Sequence, residues 1–177
     1  MESGDTVRPR VTIRVAREDD APTLAAAERA IAQTPGLLVV LPHEVLDEAV
    51  AAKIVALGAS VEGRFVVAEV DGVPVGHAML DPLPREAVRH VVHLTMAVHV
   101  GWQGRGIGRA LLGDLVAWAR ATPAVGKIEL HVRANNAAAC ALYAAFGFET
   151  VGRWRRRVRI ATDRYVDDLA MELLVAS

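Results

Sequence analysis

The chain has 177 residues, 20 basic and 21 acidic side chains, a net charge of -1 and one cysteine, Cys140. That size suits a single domain spanning residues 1–177, large enough to bury roughly 70% of the unfolded chain's surface without staples. Near-balanced charge leaves no electrostatic footprint for nucleic acid, one cysteine excludes an internal disulfide, and no apolar run reaches the roughly 18 residues of a membrane span.

Thr12 to Val15 reads as a short strand, and Asp19 and Asp20 open a helix that Pro35-Gly36 closes. The tract from Pro35 to Pro42 is unusually apolar for a connection, which suits an acceptor pocket, packing over the core or a dimer contact equally. A second helix is expected from His43 to Leu57. Arg64 to Val70 and Val75 to Leu80 are β-rich runs around Asp71-Gly72, a hairpin signal. After Pro82 and Pro84 break the chain, His90 to Val98 is a strand, Ile107 to Ala121 a helix, Lys127 to Arg133 a strand and Asn136 to Phe146 a helix closed by Gly147. Two last strands run from Val151 to Ile160 and from Tyr165 to Leu174. The strand, helix and strand between residues 90 and 133 form a βαβ unit, hence a parallel pair.

The turn inside that unit, Gln103-Gly104-Arg105-Gly106-Ile107-Gly108-Arg109, carries the strongest signal. Alternate glycines let backbone approach a ligand, and the helix beginning there aims free amides and a positive dipole end at an anion. Arg109 and Ala110 stand where a Walker loop needs Lys and Ser or Thr, and counting from Gly104 the sixth position is Arg109, which breaks the dinucleotide fingerprint. The turn does match Gln/Arg-x-x-Gly-x-Gly/Ala through Gln103, Gly106 and Gly108. A second signature, Asn136-x-x-Ala139-x-x-Leu-Tyr143-x-x-x-Gly-Phe148, follows at the right distance.

On these two motifs the chain resembles the GCN5-related N-acetyltransferases across nearly its full length. It is most similar to a bacterial branch that acylates free amino acids and other small amines, sharing His90 and the ending Gly152, Arg153, Tyr165, Val166, Asp167 and Met171. Ala161-Thr162-Asp163-Arg164 stands where such proteins usually carry a glycine. The resemblance implies an α/β fold: a mixed, mostly antiparallel seven-stranded sheet, about four helices, and a splayed parallel pair at strands four and five. It implies acetyl-CoA as cosubstrate, no metal, a small-molecule amine as acceptor, no nucleic-acid or membrane partner, and admits a homodimer. It also implies that backbone near Met96 and Val98 bonds the pantetheine arm and thioester, that Gln103 to Arg109 hold the pyrophosphate, and that Asn136 bonds the arm. The first residues carry acids and a proline where a leader would be apolar, so the expected compartment is the cytoplasm.

Chemistry narrows the roles. Amine attack on a thioester builds charge on the carbonyl oxygen, for which an amide at Met96 or Ala97 is a candidate donor. The departing thiolate needs a proton, and Tyr143, protonated at neutral pH, is the candidate acid; read without the family pattern, it is an aromatic on the core side of a helix. Asn136 and the better-placed Asn135 are both candidate helix caps. The acceptor ammonium must lose a proton, and His93 and His90 are the candidate bases beside ordinary structural histidines, with Glu28 and the flanking His99 behind them. Strand alternation from Met96 puts His93 on the opposite face and His90 on the same one. Cys140, among alanines, reads as a small core residue before a nucleophile. Arg153, Arg155, Arg157 and Arg159 are expected on one solvated strand face, opposite Trp154, and Asp167 and Asp168 are candidate partners for an ammonium. The expected activity is acetyl transfer to a small primary amine by direct attack; a protein N-terminus or lysine is the alternative acceptor, and an acyl-CoA-binding sensor the alternative class.

Overall fold

A computed structural model describes residues 10–175. The elements in chain order are β1 (Val11–Val15), α1 (Ala21–Ala32), α2 (Asp47–Gly58), β2 (Arg64–Val70), β3 (Val73–Pro82), β4 (Val91–Val98), α3 (Ile107–Ala121), β5 (Lys127–Arg133), α4 (Ala137–Ala145), β6 (Glu149–Ala161) and β7 (Arg164–Leu174), with short 3-10 turns before α1, α2 and β4. The seven strands form one sheet in the order β1-β2-β3-β4-β5-β7-β6, antiparallel throughout except for the parallel β4–β5 pair.

Two helical layers cover this sheet. Ile107, Leu111, Leu112, Leu115, Val116 and Ala119 make the apolar stripe of α3, and they bury against Val66, Ala78, Leu80, Val92, Leu94 and Ile128. The other face carries α1 and α2, where Leu24, Ile54 and Leu57 meet Phe65 and Val67. Asp71 and Gly72, both at positive φ, close the β2–β3 hairpin as its sequence requires.

Local chemistry moved some boundaries. The helix expected from His43 is a 3-10 turn at Pro42–Glu44, after which extended Val45 breaks the path and α2 starts only at Asp47. Asp20 precedes α1 but its carboxylate does not cap it; both oxygens are drawn to Arg14, 2.7 Å away, and to the Arg17 amide. At the last turn Asp163 adopts φ 56°, the left-handed conformation that glycine usually supplies and Asp tolerates. The strict alternation expected for β6 fails at an irregularity between Trp154 and Val158, centred on Arg156 with φ 52°. Arg157 consequently stacks on Trp154, at 4.5 Å, while Arg156 joins Arg159 over Tyr165.

Gly76, on β3 beneath the start of α3, shows how tightly this helix is seated. A Cβ there would lie 2.9 Å from Ile107 Cγ2 and 3.2 Å from the Ala97 carbonyl oxygen. Gly76→Ala should therefore cost about 1–3 kcal/mol through overpacking, read as a lower urea midpoint with an unchanged slope; an unchanged midpoint would show that α3 can ride up freely.

Candidate active site

The strand pair at the centre of the sheet stays paired for only three residues. Val91, Val92 and His93 lie opposite Lys127, Ile128 and Glu129, and beyond them β4 and β5 part. On its other edge β4 remains paired to β3 as far as Val98. The amide of His99 donates to the Val75 carbonyl and that of Leu83 to the Val91 carbonyl. Antiparallel alternation then turns the backbone groups of odd-numbered β4 residues toward β3 and those of Leu94, Met96 and Val98 toward the gap. Of the two amide candidates, only Met96 lies on the open edge; the Ala97 amide is on the β3 side.

Gln103 closes the end of that edge. Its Oε1 accepts from the Gly101 amide at 2.9 Å and its Nε2 donates to the Val98 carbonyl at 3.3 Å, so the side chain braces the turn. Gly104 and Gly106 have φ 73° and 83°, and a Cβ on either would meet nothing within 4 Å. These glycines are needed for their left-handed dihedrals, which other residues rarely adopt. At Gly108, by contrast, a Cβ would lie 3.3 Å from Leu142 Cδ2 and 3.6 Å from Met96 Cε. Ile107 is buried in the core, so its side chain anchors the turn. Arg105 stacks on Trp102 and Arg109 on Phe146, two cations held near the helix start. A cleft of about 480 Å³ opens beside Gly104, Arg105 and Gly106, bounded by Val11, Val70 and Trp102. It lies on the β1–β2 flank of the turn, with no β4 or β5 residue in its wall.

Across the gap, the Asn136 side chain accepts from the Ala139 amide at 3.1 Å, so Asn136 caps α4 and Asn135 does not. Tyr143 is 8% exposed, packed beside Phe148, and burial pushes its hydroxyl up to about 12. The Cys140 thiol points at the Arg133 carbonyl and packs against the core cluster, the placement of a structural residue.

The face of the sheet opposite α3 and α4 holds the histidines. His93 Nε2 lies 3.3 Å from His131 Nδ1 across the point where the strands part, and Trp154 stacks on His131 at 4.2 Å. Burial depresses both imidazoles below their ordinary range. His90 precedes β4, against Gly126, six strand residues or roughly 20 Å from Met96, so it is not brought to the open edge. Asp168 is buried in an ion pair with Arg133, and Asp167 is held by Arg153 and by the Arg156 amide, so neither acid is free for an ammonium. Gly36, in the apolar tract after α1, abuts Ile160 of β6: a Cβ would lie 2.7 Å from its Cγ2. The tract thus leans on the β6–β7 hairpin, flanking the gap on this side.

Sequence reasoning passed over His77. It is 3% exposed on β3, with Nδ1 3.1 Å from His99 Nε2 and Nε2 2.9 Å from Glu28 Oε1. Its signal was a polar residue at an inward position of an otherwise apolar strand, Val75 to Leu80.

The acetyltransferase (GNAT) family pattern matches residues 33–148. The chain belongs to that family. Among individual relatives, N-alpha-acetyltransferase RimI of Mycobacterium tuberculosis is 41% identical over 104 residues, 58% of this chain and 63% of the relative. The matched stretch thus spans less than two thirds of that relative's length. Phosphinothricin N-acetyltransferase of Alcaligenes faecalis is 29% identical over 171 residues, covering 95% of this chain and 84% of the relative. In fold, this GNAT chain superposes on yncA of Salmonella typhimurium, solved with its cofactor acetyl-CoA, with a TM-score of 0.84 at 23% identity over 94% of this chain and 95% of that one.

His99 makes a measurable contribution to pH dependence. Burial and the neighbouring His77 push it from 6.5 down to about 4. Below pH 6.5 the unfolded chain binds a proton that folded His99 refuses, so stability is full above that pH and falls toward pH 4, by at most about 3 kcal/mol. Urea midpoints at pH 7.5 and 4.5 should differ less in His99→Gln than in the native chain.

Proposed function

We propose that this chain is an acetyl-CoA-dependent N-acetyltransferase acting in the cytoplasm on a small primary amine, an amino acid or a polyamine-like molecule. The observation that carries the reading is the unpaired β4 edge from Leu94 to Val98, leading directly into the glycine turn and the start of α3. An extended amide-bearing arm can add to that edge as another strand would. An anionic diphosphate suits the amides of Gly104 to Gly108 and the positive end of α3, with Arg105 and Arg109 beside it.

Bound acetyl-CoA supplies an activated acyl group and a thiol leaving group. The Met96 amide, fixed by the β3–β4 ladder, is preorganised to donate to the acyl oxygen as charge develops there. Tyr143, from the far side of the gap, keeps its proton at neutral pH and donates it to the departing sulfur. The burial that raises the phenol also raises a thiol leaving into the same apolar surroundings, so the two acids shift in the same direction. Asn136 keeps its side-chain amino group free for the arm while its oxygen caps α4. No covalent step through Cys140 is needed.

A small acceptor is favoured by the near-complete overlap with a phosphinothricin N-acetyltransferase and by the flanking of the gap by the apolar tract and the β6–β7 hairpin. The RimI likeness supports a protein N-terminus as the second reading.

Thiol release from acetyl-CoA, followed over L-amino acids, polyamines and a peptide with a free N-terminal alanine, tests both. Turnover should be highest with a small amine; preference for the peptide would install the second reading, and acetyl-CoA binding without turnover would indicate a sensor. Tyr143→Phe should lower kcat by roughly 10²-fold while acetyl-CoA affinity, measured by calorimetry, is kept; an unchanged kcat would remove Tyr143 as the acid.

A further inference from the structure

The core-facing stripe of α1 runs Ala21, Leu24, Ala25, Ile31 and Ala32, all buried, and Glu28 occupies the one inward turn of the helix between them. Its Oε1 meets His77, which meets His99, whose Nδ1 lies 3.0 Å from the Pro74 carbonyl oxygen. This chain of contacts fixes its own protons. A carbonyl only accepts, so His99 Nδ1 carries the hydrogen. His99 is neutral at pH 7, so its Nε2 accepts and His77 Nδ1 must donate. His77 Nε2 and Glu28 Oε1 therefore share one proton, as imidazolium and carboxylate or as imidazole and carboxylic acid. Either way the pair is electrically neutral.

Three cations of the described elements packed around this face are already paired. Arg14, in the same cross-sheet row as Val67 and His77, is held by Asp20 and Glu69; Arg29, next along α1, reaches Asp47; and Lys53 of α2 reaches Asp81. His77 is the hydrogen-bond partner of Glu28 Oε1. The second carboxylate oxygen, Oε2, has no partner among the described residues, and the side chain remains 23% exposed. His77 stands directly across the ladder from Ala97, beside the free Met96 amide, one strand spacing of about 4.8 Å from the open edge.

We infer that Glu28 is the general base that deprotonates the acceptor amine, and that His77 and His99 are positioning residues that hold its proton acceptor in place. This deepens the acetyltransferase reading and rests on it. An N–H bond of the acceptor ammonium breaks and an O–H bond forms at Glu28 Oε2, so the pair goes from one proton to two, and the freed nitrogen lone pair attacks the acyl carbon. As the C–N bond forms and the C–S bond breaks, Tyr143 protonates the sulfur. The second amine proton restores Tyr143 through water, and Glu28 releases its own to solvent. One proton is released per turnover. A hydrophobic residue would fill the α1 stripe without two buried imidazoles, which is why packing alone does not account for the cluster.

The test uses the full chain, acetyl-CoA and whichever amine of the panel turns over fastest. Glu28→Gln keeps the shape and the bond to His77. It should lose roughly 10²-fold in kcat at pH 7, with acetyl-CoA affinity and thermal midpoint unchanged. Its rate should then climb tenfold per pH unit toward the pKa of the free amine, because only neutral amine reacts. Glu28→Asp should recover part of the loss, and His77→Gln, which keeps the carboxylate but removes its anchor, should lower kcat without the tenfold-per-unit climb with pH that marks Glu28→Gln. A Glu28→Gln rate within threefold of native, or a loss of acetyl-CoA binding in that variant, would overturn the assignment while leaving the acetyltransferase reading intact. Failure of the native chain to acetylate any amine would overturn both.

Discussion

Backbone groups that have lost their partners organise this protein. A strand at the middle of a sheet is bonded on both edges, and leaving one edge bare costs free energy for every amide withdrawn from water. Here β4 is paired on one side to its end and on the other for three residues only. What keeps β5 from closing the gap is its commitment elsewhere: it is paired to β7 along its whole length, ends at Arg133 in an ion pair with Asp168, and passes directly into the Asn136 cap of α4. The rigidity of those attachments converts a missing ladder into a standing slot.

The slot separates two chemistries. On the side of α3 and α4 stand the glycine turn, the positive end of the α3 dipole and Tyr143. The opposite side, beneath α1 and α2, gathers imidazoles, a carboxylate and aromatic rings. Strand alternation does the sorting, because successive side chains of β4 and β5 go to opposite faces while their backbone stays in the gap.

Much of this was readable from the chain alone. The Arg64–Val70, Ile107–Ala121 and Lys127–Arg133 elements fall on their sequence-based limits because each has a clean period and a clear stop. Family membership rested on two short motifs whose glycines and asparagine are tied to backbone geometry, and such positions announce themselves. The rest depended on long-range pairing. Nothing local to Ala97 says which way its amide points; the β3 register does. Arg153, Arg155, Arg157 and Arg159 alternate perfectly on paper, and only an irregularity opposite β7 brings Arg157 onto Trp154. Glu28 and His77 are 49 residues apart, and each alone looks like an ordinary polar residue in an apolar stripe.

Gln103 gives the bare edge a latch. Its side chain already donates to the Val98 carbonyl, so an incoming amide donor competes with it there, and the same side chain also accepts from the Gly101 amide. Each exchange trades one neutral hydrogen bond, worth about 1 kcal/mol, for another, so the swap is close to isoenergetic. Occupation of the Val98 carbonyl and the posture of the glycine turn become two readings of one equilibrium.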